Sequence, residues 1–149
     1  EKPRDPKQHI LNRRSIVDLL WCGLIIGSLA FTNSLLFFHR AGMQPRSADT
    51  NSLPYLQATT VTYLTIVCCQ LINIMQRRSI KGFFSRYQFT NWHFWAAIAL
   101  SLSCVMAIIY SPINQYFKTG PLGIVDWLYA LGAAAIFLAI REVQRLIKK

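Results

Sequence analysis

The sequence predicts an all-α integral membrane protein, a bundle of four transmembrane helices with the N and C termini on the cytoplasmic side. Of its 149 residues, 53% are hydrophobic, and yet the formal net charge is +10. Both properties occur together because charged residues are absent from long stretches and crowd into the segments between them. A nucleic-acid-binding protein instead spreads Lys and Arg over the face that meets the phosphates. The pattern therefore predicts the lipid bilayer as a partner and excludes nucleic acid.

Four apolar segments are candidates for membrane spans. A helix needs about 20 apolar residues to cross a hydrocarbon core about 30 Å thick, because each residue rises about 1.5 Å. The predicted spans are residues 19–38, 55–76, 92–111 and 124–140. The first three contain no Asp, Glu, Lys or Arg, whereas the fourth is shorter and carries Asp126 near its start. We therefore expect the fourth helix to tilt, or the bilayer to thin around it.

Positive charge is distributed unequally over the two sides of the predicted bundle. Of the 16 Lys and Arg residues, 13 lie before the first span, between the second and third, or after the fourth. The other two connecting segments together carry only Arg40, Arg46 and Lys118. Because Lys and Arg near span ends collect on the cytoplasmic side, this asymmetry predicts an even number of spans with both termini cytoplasmic.

Cysteines and small residues inside the spans have structural interpretations. The four cysteines show no zinc or redox spacing, and we expect free, buried thiols at Cys22, Cys68, Cys69 and Cys104. Gly23, Gly27 and Ala30 recur at helical spacing, and residues 132–135 are all small. Small residues let helix backbones approach closely, so these faces are expected to meet other helices.

Two acidic residues stand at the starts of predicted spans. Asp18 precedes the first span and Asp126 opens the fourth. A carboxylate in the first turn of a helix is favoured by the helix macrodipole, and at a membrane boundary it stays within reach of water. Both are therefore expected to be structural.

The second span is unusually polar for a membrane helix. A rough stripe of polar residues runs along it, formed by Thr59, Thr62, Cys69, Gln70 and Asn73. Gln70 and Asn73 are three residues apart, so their amides project from one face, and their oxygens could coordinate a hard cation. The alternative is that the amides hydrogen-bond to neighbouring helices. A cation site would also need carboxylates from outside this chain, because the four spans carry no acid at mid-depth.

Residues for catalysis are missing from the sequence. It contains no G-x-S-x-G, no P-loop and no H-E-x-x-H motif, and His9, His39 and His93 are far apart. Lys118, Thr119 and Gly120 match part of the Asp-Lys-Thr-Gly-Thr phosphorylation motif of P-type pumps, but Phe117 occupies the position of the nucleophilic Asp. Without that carboxylate no aspartyl phosphate forms, so this chain alone is predicted to carry no catalytic site.

Several segments, in order, give the whole chain a resemblance to a known family. They are the lead E-K-P-R-D-P-K-Q-H-I-L-N-R-R, then T-I-V-C-C-Q-L-I-N-I-M-Q-R-R-S, then I-I-Y-S-P-I-N-Q-Y-F-K-T-G-P-L, and finally D-W-L with R-E-V-Q-R-L-I-K-K. The chain resembles the carboxy-terminal membrane region of P-type cation-transporting ATPases, in the branch of the calcium pumps and the sodium/potassium pump. By this resemblance, residues 1–149 would form one domain containing helices seven to ten of such a pump.

The resemblance implies site residues, cofactors and partners. The eighth helix of the family supplies ligands to the transported ion, which implies a cation-binding role first for Gln70 and then for Asn73. Calcium pumps have a carboxylate at the position of Gln70, and the sodium/potassium pump has paired glutamates where this chain has Leu100 and Ser101, so the ion stays open. A full-length parent would be an ATP-driven cation translocase that uses Mg²⁺ and ATP. Its remaining transmembrane helices and cytoplasmic domains would be this chain's partners.

A free-standing protein is the competing interpretation. A four-span scaffold could bind lipid or another membrane protein through its basic loops, including the loop of residues 77–88, and through its small-residue faces. A piece of a larger bundle would instead expose faces that other helices cover.

Overall fold

The computed structural model describes residues 13–45, 49–78 and 91–147. The described chain is helical, with no strand in these ranges, and confirms the predicted class. Its helices are α1 (Arg13–Arg40), α2 (Leu53–Arg78), α3 (Trp92–Tyr110), the short α4 (Asn114–Phe117) and α5 (Ile124–Ile147). The four long helices are each long and apolar enough to cross a membrane. Residues 1–12 of the basic lead and most of the loop between the second and third spans lie outside the described residues.

The helices extend beyond the apolar segments that predict them. α1 begins six residues before the predicted first span, and α5 runs seven residues past residue 140 to Ile147. With 24 residues, α5 is about 36 Å long at 1.5 Å per residue. The helix itself is therefore long enough to cross, although its apolar part is short. α4 is a single turn within the predicted loop of residues 112–123 and has no counterpart in the prediction.

Local chemistry explains where several helices begin and end. The Asn91 side chain caps α3 by accepting a hydrogen bond from the backbone N–H of Phe94 at 3.3 Å. α3 ends at Tyr110, shortly before Pro112, whose ring cannot continue a helix. After α1 the chain turns at Gly42, with φ of 66°, a conformation that glycine adopts without steric cost.

α2 is the central helix of the described chain. It packs against both α1 and α5, which also pack against each other, whereas α3 contacts α2 only over a short stretch. The most deeply buried large side chains include Leu64 on α2, Ile109 on α3 and Phe137 on α5. α1, α2 and α5 therefore form a three-helix core, and α3 joins it mainly through Val105 and Ile109 near its C-terminal end.

Some faces predicted to be buried are open in this chain. Cys22, Cys68 and Cys69 are buried as expected, but Cys104 is exposed on α3, so that part of the prediction is wrong. It is exposed because α3 leaves most of its surface uncovered by the other described helices. A Cβ atom built at Gly23, Gly27 or Gly132 would meet nothing within 4 Å. These glycines are exposed, so the predicted helix contact stays a prediction at their positions. Ala30, Ala133 and Ala134 in the same small-residue stretches are buried, which confirms the predicted contact there.

Candidate functional site

The centre of the three-helix core contains a polar contact that links all three helices. Asn33 on α1 is 6% exposed, and its Nδ2 donates to Thr65 Oγ1 on α2 at 2.9 Å and to the Tyr129 carbonyl on α5 at 3.1 Å. This contact was not predicted from the sequence. The available signal was an amide side chain inside a span that is otherwise mostly apolar.

An ion pair joins α1 to α5 at the end of the bundle where α1 ends. The Asp126 carboxylate pairs with the Arg40 guanidinium, and its other oxygen accepts a hydrogen bond from the Gly123 backbone N–H at 3.0 Å. The guanidinium also lies over the Tyr129 ring, 4.6 Å from its centroid. Asp126 is 7% exposed, so the expectation that water reaches it is wrong: Arg40 and the backbone satisfy it instead. Its predicted structural role agrees with these contacts.

A second ion-pair cluster, the Asp18 cluster, lies at the opposite end of the bundle and consists of Asp18, Arg77 and Arg141. The Asp18 carboxylate accepts from Arg141 Nη1 at 2.8 Å and from Arg77 Nη2 at 3.2 Å. The macrodipole explanation for Asp18 is wrong, because α1 begins at Arg13 and its first turn contains no acid. One carboxylate on α1 instead holds a guanidinium from α2 and another from α5.

The two predicted cation ligands meet as their spacing predicts. Asn73 Nδ2 donates to Gln70 Oε1 at 3.3 Å, and Arg77 Nε donates to Asn73 Oδ1 at 3.2 Å. Each amide oxygen therefore already accepts a hydrogen bond from its own helix. Gln70 is exposed and Asn73 is partly exposed, so the pair faces away from the core. A cation would have to compete with these N–H groups for the oxygens.

The polar stripe predicted along α2 divides between two faces. Cys69 is fully buried in the core, and so it does not share the surface of Gln70. Thr59 and Thr62 lie on the outward side with Gln70, but their hydroxyls donate to the backbone carbonyls of Tyr55 and Ala58 in the preceding turn. Gln70 and Asn73 are thus the members of the stripe that present amides outward.

The Lys118–Thr119–Gly120 sequence has a structural role in the segment before α5. Thr119 Oγ1 donates to the Ile108 carbonyl at 3.1 Å, and the Gly120 N–H donates to Thr60 Oγ1 on α2 at 2.8 Å. Gln57 Nε2 donates to the Pro121 carbonyl at 2.7 Å. The first bond joins the segment to α3, and the other two dock it onto the first turns of α2.

No pre-formed metal centre is present within the described ranges, where no group of three or more His, Cys, Asp or Glu side chains could hold a metal ion. The carboxylates described above are instead paired with arginines. What the geometry offers for function is the outward amide pair on α2, beside a guanidinium and on the side that α1 and α5 leave open.

Comparison with known proteins identifies relatives over nearly the whole chain. A calcium-transporting ATPase of Bacillus subtilis (strain 168) is 29% identical over 136 residues, covering 91% of this chain and 14% of that protein. The human calcium-transporting ATPase type 2C member 2 is 26% identical over 151 aligned residues, covering 100% of this chain and 15% of that protein. The chain thus spans about one seventh of the length of either relative.

The family described as "Cation transporting ATPase, C-terminus" matches residues 1–147. Together with four helices able to cross a membrane, this match makes the chain a multi-pass integral membrane segment. The chain belongs to the C-terminal domain family of the cation-transporting ATPases.

Proposed function

We propose that this chain is the last membrane module of an ATP-driven cation transporter, where it supports the ion-binding helices and anchors the protein in the bilayer. The observation that carries the proposal is the outward polar face of α2. Polar side chains facing lipid are costly, so amides on the uncovered side of a membrane helix indicate that further protein covers them. Family membership agrees with helices supplied by the rest of a pump.

Calcium is the first cation to test, because the two relatives described above are named calcium-transporting ATPases. A ligand role for Gln70 and Asn73 stays a prediction. It would require Gln70 Oε1 to turn from the Asn73 amide towards the ion. Mg²⁺ and ATP would act on other domains of the transporter, because this sequence has Phe117 in place of the nucleophilic Asp of the phosphorylation motif.

Transport by the complete reading frame tests the proposal. The protein encoded by the gene from its start codon, expressed in sealed membrane vesicles, should accumulate radioactive Ca²⁺ when Mg²⁺ and ATP are supplied. A variant that ends immediately before Glu1, and so lacks this membrane module, is expected to lose the uptake. A reading frame without an Asp-Lys-Thr-Gly-Thr motif upstream of Glu1 would contradict the proposal, as would the absence of ATP-dependent uptake of any cation tested.

Both termini are proposed to be cytoplasmic, on the basis of the positive charge at one end of the bundle. Tyr116 precedes α5 and Ile147 ends it, so the two residues lie at opposite ends of the bundle, where they are 81% and 79% exposed. With the native cysteines replaced, Tyr116→Cys should react with a membrane-impermeant maleimide in intact cells, and Ile147→Cys only after permeabilisation. The reverse labelling pattern would show that the termini lie on the outer side of the membrane.

A free-standing scaffold is the second candidate. It is favoured by the way α1, α2 and α5 share one core with an ion-pair contact at each end. A scaffold of this kind predicts that residues 1–149, expressed alone in detergent, give a monodisperse and protease-resistant bundle. Rapid aggregation of the isolated chain would count against it and agree with the pump module.

A further inference from the structure

The outward surface of α2, which we call the amide face, is formed by residues at helical spacing on the side that α1 and α5 leave open, and it ends at Arg77, whose side chain reaches Asp18 on α1. Its members are Thr59, Thr62, Ile66, Gln70, Asn73 and Arg77. Positions three and four apart lie on one side of a helix, so these six form a continuous strip. The two threonine hydroxyls are tied to the backbone of α2. The amides and the guanidinium therefore determine what the strip can bind.

The hydrogen bonds along the amide face are all donated towards the N-terminal end of α2. Arg77 Nε donates to Asn73 Oδ1, and Asn73 Nδ2 donates to Gln70 Oε1. Gln70 Nε2 has no acceptor among the described residues. The series therefore begins at a cation and ends in an outward amide N–H₂ group, about 10 Å further along α2 at 1.5 Å per residue.

The charge at the start of this series is positive. In the Asp18 cluster, Arg77 and Arg141 bind the same carboxylate. The Arg77 side chain remains 42% exposed, compared with 14% for Arg141. Two guanidinium groups facing one carboxylate leave a net positive charge, which polarises the amides towards a hydrogen-bond acceptor and disfavours a second cation next to them.

We propose that the amide face docks a transmembrane helix carrying an Asp or Glu side chain, which accepts a hydrogen bond from Gln70 Nε2. This rests on the proposed function, in which the helix comes from the rest of the pump. A carboxylate matches both the N–H₂ group and the positive charge. Gln70 then acts as a positioning donor to a carboxylate of a neighbouring helix, and its oxygen stays with Asn73.

Two variants at Gln70 separate a donor role from a ligand role. Gln70→Lys keeps hydrogen donors and removes the acceptor, whereas Gln70→Glu keeps acceptors and removes the donors at neutral pH. Gln70→Leu removes both. The measurement is the thermal unfolding midpoint of the full-length protein in mild detergent, first with a Ca²⁺ chelator and then with saturating Ca²⁺. Ser103→Ala, on the exposed side of α3, is the matched control, because the Ser103 hydroxyl donates to the Ala99 carbonyl of its own helix.

Without cation, we expect Gln70→Glu to lower the midpoint by about 5 °C and Gln70→Leu by about half as much. Gln70→Lys should unfold above Gln70→Leu, because its ammonium group pairs with the facing carboxylate, although the positive charge of Arg77 nearby reduces the gain. Ser103→Ala should stay within about 1 °C of the unsubstituted protein. Replacing the facing carboxylate by its amide should restore the midpoint of Gln70→Glu and so identify the docked helix. If Gln70→Glu prevents folding, Gln70→Lys must still unfold above Gln70→Leu.

The proposal is overturned if Gln70→Glu and the unsubstituted protein unfold together in the chelator while Gln70→Lys loses the stabilisation given by Ca²⁺. That pattern would make Gln70 a cation ligand. The cation-free midpoints do not depend on transport. A failure of ATP-dependent uptake would thus refute the proposed function and leave the docking to be judged by the order of the Gln70 variants.

Discussion

The ion pair between Asp126 and Arg40 offers a quantitative test of how this membrane segment is held together. The Asp126 side chain is 9% exposed and that of Arg40 is 32% exposed. Asp126→Asn keeps the size of the side chain and an oxygen for the Gly123 N–H. The substitution therefore removes the negative charge with little change in packing.

The expected cost follows from what the substitution leaves behind. Removing one partner of a fully buried ion pair costs about 3–5 kcal/mol, because the other charge stays buried without compensation. Arg40 is partly exposed and keeps its contact with the Tyr129 ring, and a cation over an aromatic ring is worth about 0.5–1 kcal/mol at exposed sites. We therefore expect Asp126→Asn to lower the free energy of unfolding by about 2 kcal/mol.

A double-mutant cycle in detergent measures this interaction. Unfolding by titration with SDS, followed by tryptophan fluorescence, gives the free energies for Asp126→Asn, Arg40→Gln and the double variant. The sum of the free-energy losses in the two single variants should exceed the loss in the double variant by about 1–2 kcal/mol. If the losses are additive within about 0.5 kcal/mol, or if Asp126→Asn changes nothing, the pair does not couple α1 to α5 and the reasoning is refuted.

Two further substitutions probe other contacts by the same titration. A Cβ at Gly120 would stand 2.9 Å from Gln57 Cγ and 3.0 Å from the Gln57 backbone nitrogen, so Gly120→Ala should cost about 1–3 kcal/mol. Gly23→Ala, in open space within α1, is the control and should be neutral or stabilising, because Ala favours a helix over Gly. Equal losses at the two positions would contradict the docking of the segment before α5. Asn33→Leu removes the two hydrogen bonds of the Asn33 amide. It should lower the free energy of unfolding by about 1 kcal/mol, since a polar contact between membrane helices averages about 0.6 kcal/mol. An unchanged or higher stability would show that the Thr65 contact is not stabilising.

Hydropathy was sufficient to predict the four long helices, because a bilayer excludes charge from about 20 residues at a time. The contact between Gln70 and Asn73 was also predictable, since it depends only on a spacing of three along one helix. The direction in which the Gln70–Asn73 pair faces was not predictable, because it depends on which side of α2 packs against α1 and α5.

Long-range partners carried no signal in the sequence. Asp126 pairs with a residue 86 positions away, and Asp18 with one 123 positions away. A single sequence shows only that an acid lies near a helix end, where the macrodipole is a sufficient explanation. The isolation of α3 was equally invisible, because its apolar composition fits either burial by helices or contact with lipid.

The contacts at the two ends of α2 have a mechanical consequence. Near its first turns, Gln57 and Thr60 bind the segment before α5, and near its last turn Arg77 binds Asp18 on α1. A rod restrained at both ends resists translation along its axis and rotation about it. Relative motion between this bundle and a neighbouring helix would therefore take place as sliding over the open side of α2, with the helix itself as the stationary surface.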